Sequence, residues 1–523
     1  HNTARAQHPG GLWDLGDSGS FLFKALEFQL KGAATDWQLQ AEQNTERYCS
    51  QAAAIHLQQH SSGGENWQSP NHVTASGAIP FTQRGYTINN GEQHFSGLRA
   101  EPVAAASNEL QIQLAVPHFW QKFPQALALD ADGIKLALFA QQASEPHELQ
   151  GGEKSSRELW LQFTAPTAAT EQASGQSMRW VYQQATITLA ADYYVKANSM
   201  PWLNLATDDP LASCILPPDN FFAKREVIDE YGWRNFGDIF ADHETLYQAA
   251  NEAPYISHYN NQYDAIYGFC RQYLLSGDRK WFELMDDLAK HVTDIDIYDT
   301  DEDREEYNHG LFWHTDHYLP AETATHRTYS KLNTVNGRST AGGGPGPEHC
   351  YTTGLTYHYW LTGNEASKQA VLKLADWITT YHEGSNCFLS QLLAIKNTHL
   401  PRLIDLFKGK PVLPHTYAFT RGTGNYITAL LDSYLLSQDR KYLNKVEQII
   451  KNVIHPNDDI NARDLLNVEV AWSYLICLTS IARYVDIKST EQQFDYCYAY
   501  AKESFLHYAR WIRDHEQAFL ADV

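Results

Sequence analysis

Long apolar runs are missing from this chain. No stretch of about eighteen apolar residues occurs in its 523 residues, so the sequence offers no membrane span. Cysteines at metal or redox spacing are missing too. The seven (Cys49, Cys214, Cys270, Cys350, Cys387, Cys477 and Cys497) are scattered with no CxxC pair, which argues against structural zinc and against a disulfide framework, one disulfide at most excepted. Basic residues are in deficit, 40 Lys and Arg against 62 Asp and Glu, a net charge of −22, and this disfavours nucleic acid as a partner. A G-x-S-x-G elbow, a P-loop and a dinucleotide fingerprint are all absent. A starting Met and a signal peptide are absent as well, so the chain reads as a processed or partial product.

What is present is an ordinary soluble composition with 43% apolar and 20% charged residues, enough for two or three domains. Aromatic residues make up 13%, including 14 Trp and 30 Tyr. Such rings pack cores, and they also stack on the apolar faces of sugars while their polar tips reach hydroxyls.

The densest chemistry lies in YGWRNFGDIFADHE at 231–244, which is too polar for a core strand and too aromatic for a solvated loop. It marks a border. Before it, short alternating segments such as 109–116, 133–139, 158–163 and 185–189 are separated by Gly, Pro, Asp and Ser turns and predict an antiparallel β-sandwich over 1–225. After it, three aromatic-rich helices end in Ser-Gly-Asp, Thr-Gly-Asn and Ser-Gln-Asp at 276–278, 362–364 and 437–439, each followed by a polar amphipathic helix. A looser fourth pair covers 468–512. Helix hairpins repeating at roughly 75 to 90 residues predict an (α/α) toroid over 226–523, with the loops before the inner helices opening on one face.

Those loops hold the unusual residues: His258, Asn260, Asn261, Tyr263 and Asp264; then Glu348, His349 and Tyr351; then His415, Tyr417, Arg421 and Asn425. The long segment 299–348 adds Trp313, His314, Asp316, His317, His326, Arg327 and Lys331. His314, Asp316 and His317 do not have a recognised zinc spacing, so no metal is assigned to them. Tyr, His, Arg and Asn around one cleft suit abstraction of a proton next to a neutralised carboxylate, that is, β-elimination on a uronate. A glycoside hydrolase would instead need two carboxylates across the bond, and Asp238, Glu244, Asp264 and Glu348 keep that reading open. A non-catalytic carbohydrate-binding protein is a third reading, disfavoured by so many titratable groups.

Five ordered motifs, HPGGLWDLGD at 8–17, HELQGGEK at 147–154, YGWRNFGDIFADHE at 231–244, YNNQYD at 259–264 and GGGPGPEHCYTTGL at 342–355, together resemble the PcRGLX/YetA-like group, the exo-rhamnogalacturonan lyases of polysaccharide lyase family 26 and relatives. The resemblance implies a RIFT-barrel domain ahead of the sandwich, and the expectation is that this chain starts at the sandwich. It also implies lyase action on an acidic rhamnose–uronate polysaccharide of the rhamnogalacturonan I type, with ulvan as the rival polymer. A secreted or periplasmic location follows, and Ca²⁺ is the cation left open. The roles assigned to residues are our own expectation. His314, His349, Tyr263 and Tyr351 serve proton transfer. Arg234, Asn260, Arg327, Lys331 and Arg421 bind the uronate, with His258 and His415 in support, and Trp233 and Trp313 are sugar platforms.

Overall fold

The structure is a computed structural model, and it describes the chain apart from residues 6–12, 17, 33–35, 44–46, 51–53, 108–110, 142–144, 166–177, 184, 206–209, 316, 324, 330–333, 336–337, 340–343, 386–387, 389–390, 393–394, 397–399, 410–415 and 518–523. Lys331 and His415, and most of the 8–17 and 342–343 motif residues, lie outside the described residues.

The first part contains two antiparallel sheets. Strands β1 (Phe21–Phe23), β2 (Leu26–Lys31), β3 (Gln38–Gln40), β4 (Tyr48–Cys49), β5 (Ile55–Gln59), β6 (Tyr86–Asn90), β7 (Gln93–Gly97), β8 (Val103–Ser107), β9 (Gln111–Ala115), β10 (Gln125–Asp130), β11 (Gly133–Phe139), β12 (His147–Leu149) and β13 (Trp160–Thr164) follow in order. One sheet runs β2-β11-β10-β5-β6-β7 and the other β13-β9-β8-β3-β4, while β1 pairs with β12 apart from both. Alternation decides the register. Phe28, Leu136, Leu127, Leu57 and Ile88 stand opposite one another across five strands of the first sheet. Leu161, Leu114, Ala104 and Leu39 do the same across the second. Both rows belong to one buried cluster, so the sheets face each other over a shared core. A one-residue slip would turn either row to solvent.

Residues 185–189 do not form the expected strand. No sheet edge receives them; instead the carbonyl of Ile187 accepts a bond from the Tyr273 hydroxyl, and the Ile187 side chain is exposed. Side-chain alternation alone does not make a strand without a partner for its backbone groups.

The second part is helical. It contains α1 (Ala191–Lys196), α2 (Phe221–Val227), α3 (Ala265–Ser276), α4 (Arg279–His291), α5 (Thr353–Thr362), α6 (Glu365–Glu383), α7 (Leu400–Phe407), α8 (Arg421–Ser437), α9 (Arg440–Lys451), α10 (Val468–Ala471), α11 (Tyr474–Thr490) and α12 (Tyr496–His515), with two short strands, β14 (Thr334–Val335) and β15 (Arg338–Ser339), between α4 and α5. The repeated punctuation has a physical cause. Gly277, Gly363 and Gln438 close α3, α5 and α8 in the left-handed conformation, and the next residue, Asp278, Asn364 or Asp439, caps the following helix by accepting a backbone N–H. Two residues thus reverse the chain and start the next helix. Hairpins α3–α4, α5–α6, α8–α9 and α11–α12 pack side by side through α3, α5, α8 and α11. The fold is therefore β followed by α. The expected closed toroid goes further than these contacts, which describe a row of hairpins.

No described helix is long and apolar enough to cross a membrane. The six described cysteines are free thiols.

Candidate functional site

Three loops meet at the N-terminal ends of α3, α5 and α8. Asn260, Asn261, Tyr263 and Asp264 all have left-handed backbones, with φ of 49°, 55°, 57° and 60°. Side chains other than glycine avoid that region at a cost of about 1 kcal/mol or more each, and such runs persist where surrounding bonds hold them. Here the Asp264 carboxylate caps α3 through the Tyr267 N–H and accepts the Gly354 N–H of α5. Burial pushes its pKa up to about 6, against the hydrogen bond from Gly354. The strain turns Tyr263 outward, half exposed, with its ring 6.3 Å from Tyr351.

The imidazoles come next. His314 is buried, and neither ring nitrogen has a hydrogen-bond partner. Its ring lies 4.9 Å from His317 and 5.1 Å from His349, and Trp313 stands 4.6 Å from His349. Burial, then the neighbouring His317, lowers the His314 pKa to about 4, and burial lowers that of His349 further, so both rings are neutral near pH 7. Burial likewise raises the Tyr351 hydroxyl above its ordinary range.

A carboxylate stands at each end of this group. At one end Glu244, fully buried, holds Oε1 at 2.9 Å from His243 Nε2, 2.9 Å from His317 Nδ1 and 3.9 Å from His314 Nδ1, while Oε2 accepts the Tyr318 N–H. Burial pushes its pKa up, yet the bonds from His317 and Tyr318 outweigh that and leave it lowered, so it is ionised. At the other end Glu348, with its side chain 44% exposed, lies 3.4 Å from Arg421 Nε; Arg421 also sits 3.3 Å from His349 Nε2 and over Trp472. Exposed rings surround the cluster: Tyr263, Trp472, Tyr318 and Tyr247, the last two 4.8 Å apart.

Gly422 shows how closely Glu348 is seated. A Cβ there would lie 2.2 Å from Glu348 Oε1. Gly422→Ala is expected to displace the carboxylate and lower activity at least tenfold, while the melting temperature stays within a few degrees, because Ala suits a helical position better than Gly. Parallel activity and melting measurements check this; equal activity with an unchanged melt would mean that the seat does not matter.

Several expected site residues lie elsewhere. Arg327 is buried and donates to Glu230 at 3.0 Å, to Asp238 and to Asn260 Oδ1. Its charge is neutralised inside the protein, at the wall of the cavity that Trp233 and Arg234 also line. Asn260 donates to the Trp313 carbonyl at 2.7 Å and holds that loop. His258 is fully buried beside Glu230 and is likewise internal. Trp233 and Arg234 line a separate cavity of about 120 Å³ with Asn71, His72, Glu148 and Tyr329. Arg234 is tied to Glu153 at 2.8 Å and its guanidinium carbon lies 4.2 Å from the centre of the Trp233 ring, so the 147–154 loop joins the two parts. His243, Glu244 and Glu348 carry more of the site than their sequence signal suggested; the adjacent His243–Glu244 pair in the densest motif, with His317 three residues after His314, was the available clue.

The buried histidines predict acid sensitivity. Burial holds His118 at about 4 and His326 at about 3, and His258 well below its ordinary 6.5. The unfolded chain therefore binds more protons than the folded one below pH 6.5, and stability falls as pH falls from 6.5 toward 4. Each group costs about 2 kcal/mol at pH 5. Thermal melts from pH 7.5 to 4.5 should show a steep decline below 6.5; a flat profile would contradict it.

No protein-family model matches the chain, and no curated protein matches it. Among solved structures, it is similar to a family 76 glycoside hydrolase from a bovine Bacteroides thetaiotaomicron strain, at 10% identity and a TM-score of 0.24, over 83% of this chain and 77% of that one. The comparisons do not support the reading of this chain as a rhamnose–uronate lyase: the solved structure it is similar to is by its title a glycoside hydrolase. At that TM-score the likeness carries no argument about the reaction itself, which has to rest on the carboxylates.

Proposed function

We propose that the chain hydrolyses a glycosidic bond in an acidic carbohydrate, with Glu244 and Glu348 as the working carboxylates. One observation carries the reading. Of the four carboxylates weighed from the sequence, Glu244 and Glu348 end one chain of contacts that runs through His314, His349 and Arg421, a chain that Asp238, bound to Arg327, and Asp264, bound to the Gly354 N–H, do not join. A hydrolase of the inverting kind needs its two carboxylates about 6.5–9.5 Å apart, with the sugar and a water between them.

The roles follow from environment. Ionised Glu244 marks the end at which a water gives up its proton and attacks the anomeric carbon. Glu348 marks the end at which a proton reaches the leaving oxygen as its bond to that carbon breaks. A uronate drawn to Arg421 would take the guanidinium from Glu348 and leave that carboxyl free to face the leaving oxygen. Tyr263 and Trp472 support the sugar rings. The motif resemblance supports an acidic carbohydrate as partner, and a secreted or periplasmic location belongs to the same proposal.

The test is to incubate the protein with uronate-containing oligosaccharides and polysaccharides and follow two signals. New reducing ends without absorbance from an unsaturated uronate are expected. Absorbance rising in step with the reducing ends would defeat the hydrolytic reading, and silence in both would defeat the catalytic one.

A further inference from the structure

Among the described residues, three groups of side chains have metal-ligating character and spacing: His243, Glu244 and His317; Glu230, Asp238 and His258; and Glu447, Asp495 and Cys497. In the second, Arg327 already neutralises both carboxylates, and in the third Lys488 binds Glu447 and Asp495. The first gathers two imidazoles around one carboxylate, with a third imidazole, His314, 3.9 Å from that carboxylate.

We propose that His243, Glu244, His317 and His314 form a binding site for one divalent transition-metal ion, zinc foremost. Zinc bonds imidazole nitrogen and carboxylate oxygen at about 2.0–2.2 Å, so tetrahedral ligand atoms stand roughly 3.3 Å apart. The separations from Glu244 Oε1, 2.9 Å to His243, 2.9 Å to His317 and 3.9 Å to His314, bracket that value. Glu244 also has the form of an oriented ligand, because the Tyr318 N–H holds Oε2 and leaves Oε1 turned to the imidazoles.

A second, independent feature points the same way. His314 is 2% exposed, and neither of its ring nitrogens has a hydrogen-bond partner. A buried polar ring without a partner is costly, and an ion on its Nδ1 side supplies one. A nitrogen-rich set with one carboxylate suits zinc, cobalt or nickel and not Ca²⁺, which takes six to eight oxygens.

The inference deepens the hydrolytic reading by making Glu244 a ligand of the ion at the water-activating end rather than itself the proton acceptor, and the site stands on its own ligands. The test uses the whole chain, freed of metal by chelation and then titrated with Zn²⁺, Ca²⁺ or Co²⁺. One equivalent of Zn²⁺ should bind and raise the melting temperature, Ca²⁺ should not, and Co²⁺ should give the intense visible bands of a nitrogen-ligated tetrahedral site. His243→Ala and His317→Ala, both at exposed ligands and thus able to fold, should each weaken Zn²⁺ binding at least tenfold, whereas His515→Ala at a distant surface should not. Weak binding of several equivalents, or binding unaffected by His243→Ala and His317→Ala, would overturn the proposal. Carbohydrate cleavage without metal binding would sink the metal site alone; metal binding without cleavage would sink the hydrolase alone.

Discussion

Glu348→Gln should reduce glycosidic cleavage by about 10²- to 10⁴-fold, the range for loss of a positioned proton donor. Stability should hardly move. The side chain is 44% exposed and its ion pair with Arg421 is long, at 3.4 Å, so its removal costs well under about 1 kcal/mol. Glu244→Gln serves as the contrast. It is fully buried, takes two imidazoles and the Tyr318 N–H, and should lose both activity and stability. The comparison needs turnover and denaturant melts on the same preparations. If Glu348→Gln retains more than about a tenth of the rate, Glu348 is not the proton donor and the two-carboxylate reading fails.

Arg327→Met should cost about 3–5 kcal/mol of stability, because it leaves Glu230 and Asp238 buried without their shared counter-charge. Burial already raises the Glu230 pKa even with Arg327 beside it. Were Arg327 a substrate ligand, the same substitution would raise KM and leave the melt alone. Urea unfolding together with KM on the folded fraction separates the two roles. A stability change below about 1 kcal/mol would show that the internal network is less coupled than its geometry implies.

These two results bear on what was legible before the structure. The cleft-forming loops could be read, since Tyr263, His349, Tyr351 and Arg421 do meet, as the common direction of helices α3, α5 and α8 requires. Arg327 and Arg421 could not be told apart. Both are arginines in polar, aromatic loop segments, yet one is buried against two carboxylates and the other stands at the open end beside Glu348. Nor could Glu244 be matched with His317, 73 residues further along the chain.

The sequence by itself determined the order of β then α and the hairpin reversals through Gly-Asp, Gly-Asn and Gln-Asp pairs, because each depends on neighbours a few residues apart. Tertiary structure alone decided which charged and polar side chains face the cleft and which neutralise one another inside. That choice depends on burial and on partners distant in sequence: a charge removed from water must find its opposite, and only the packed chain determines which one it meets.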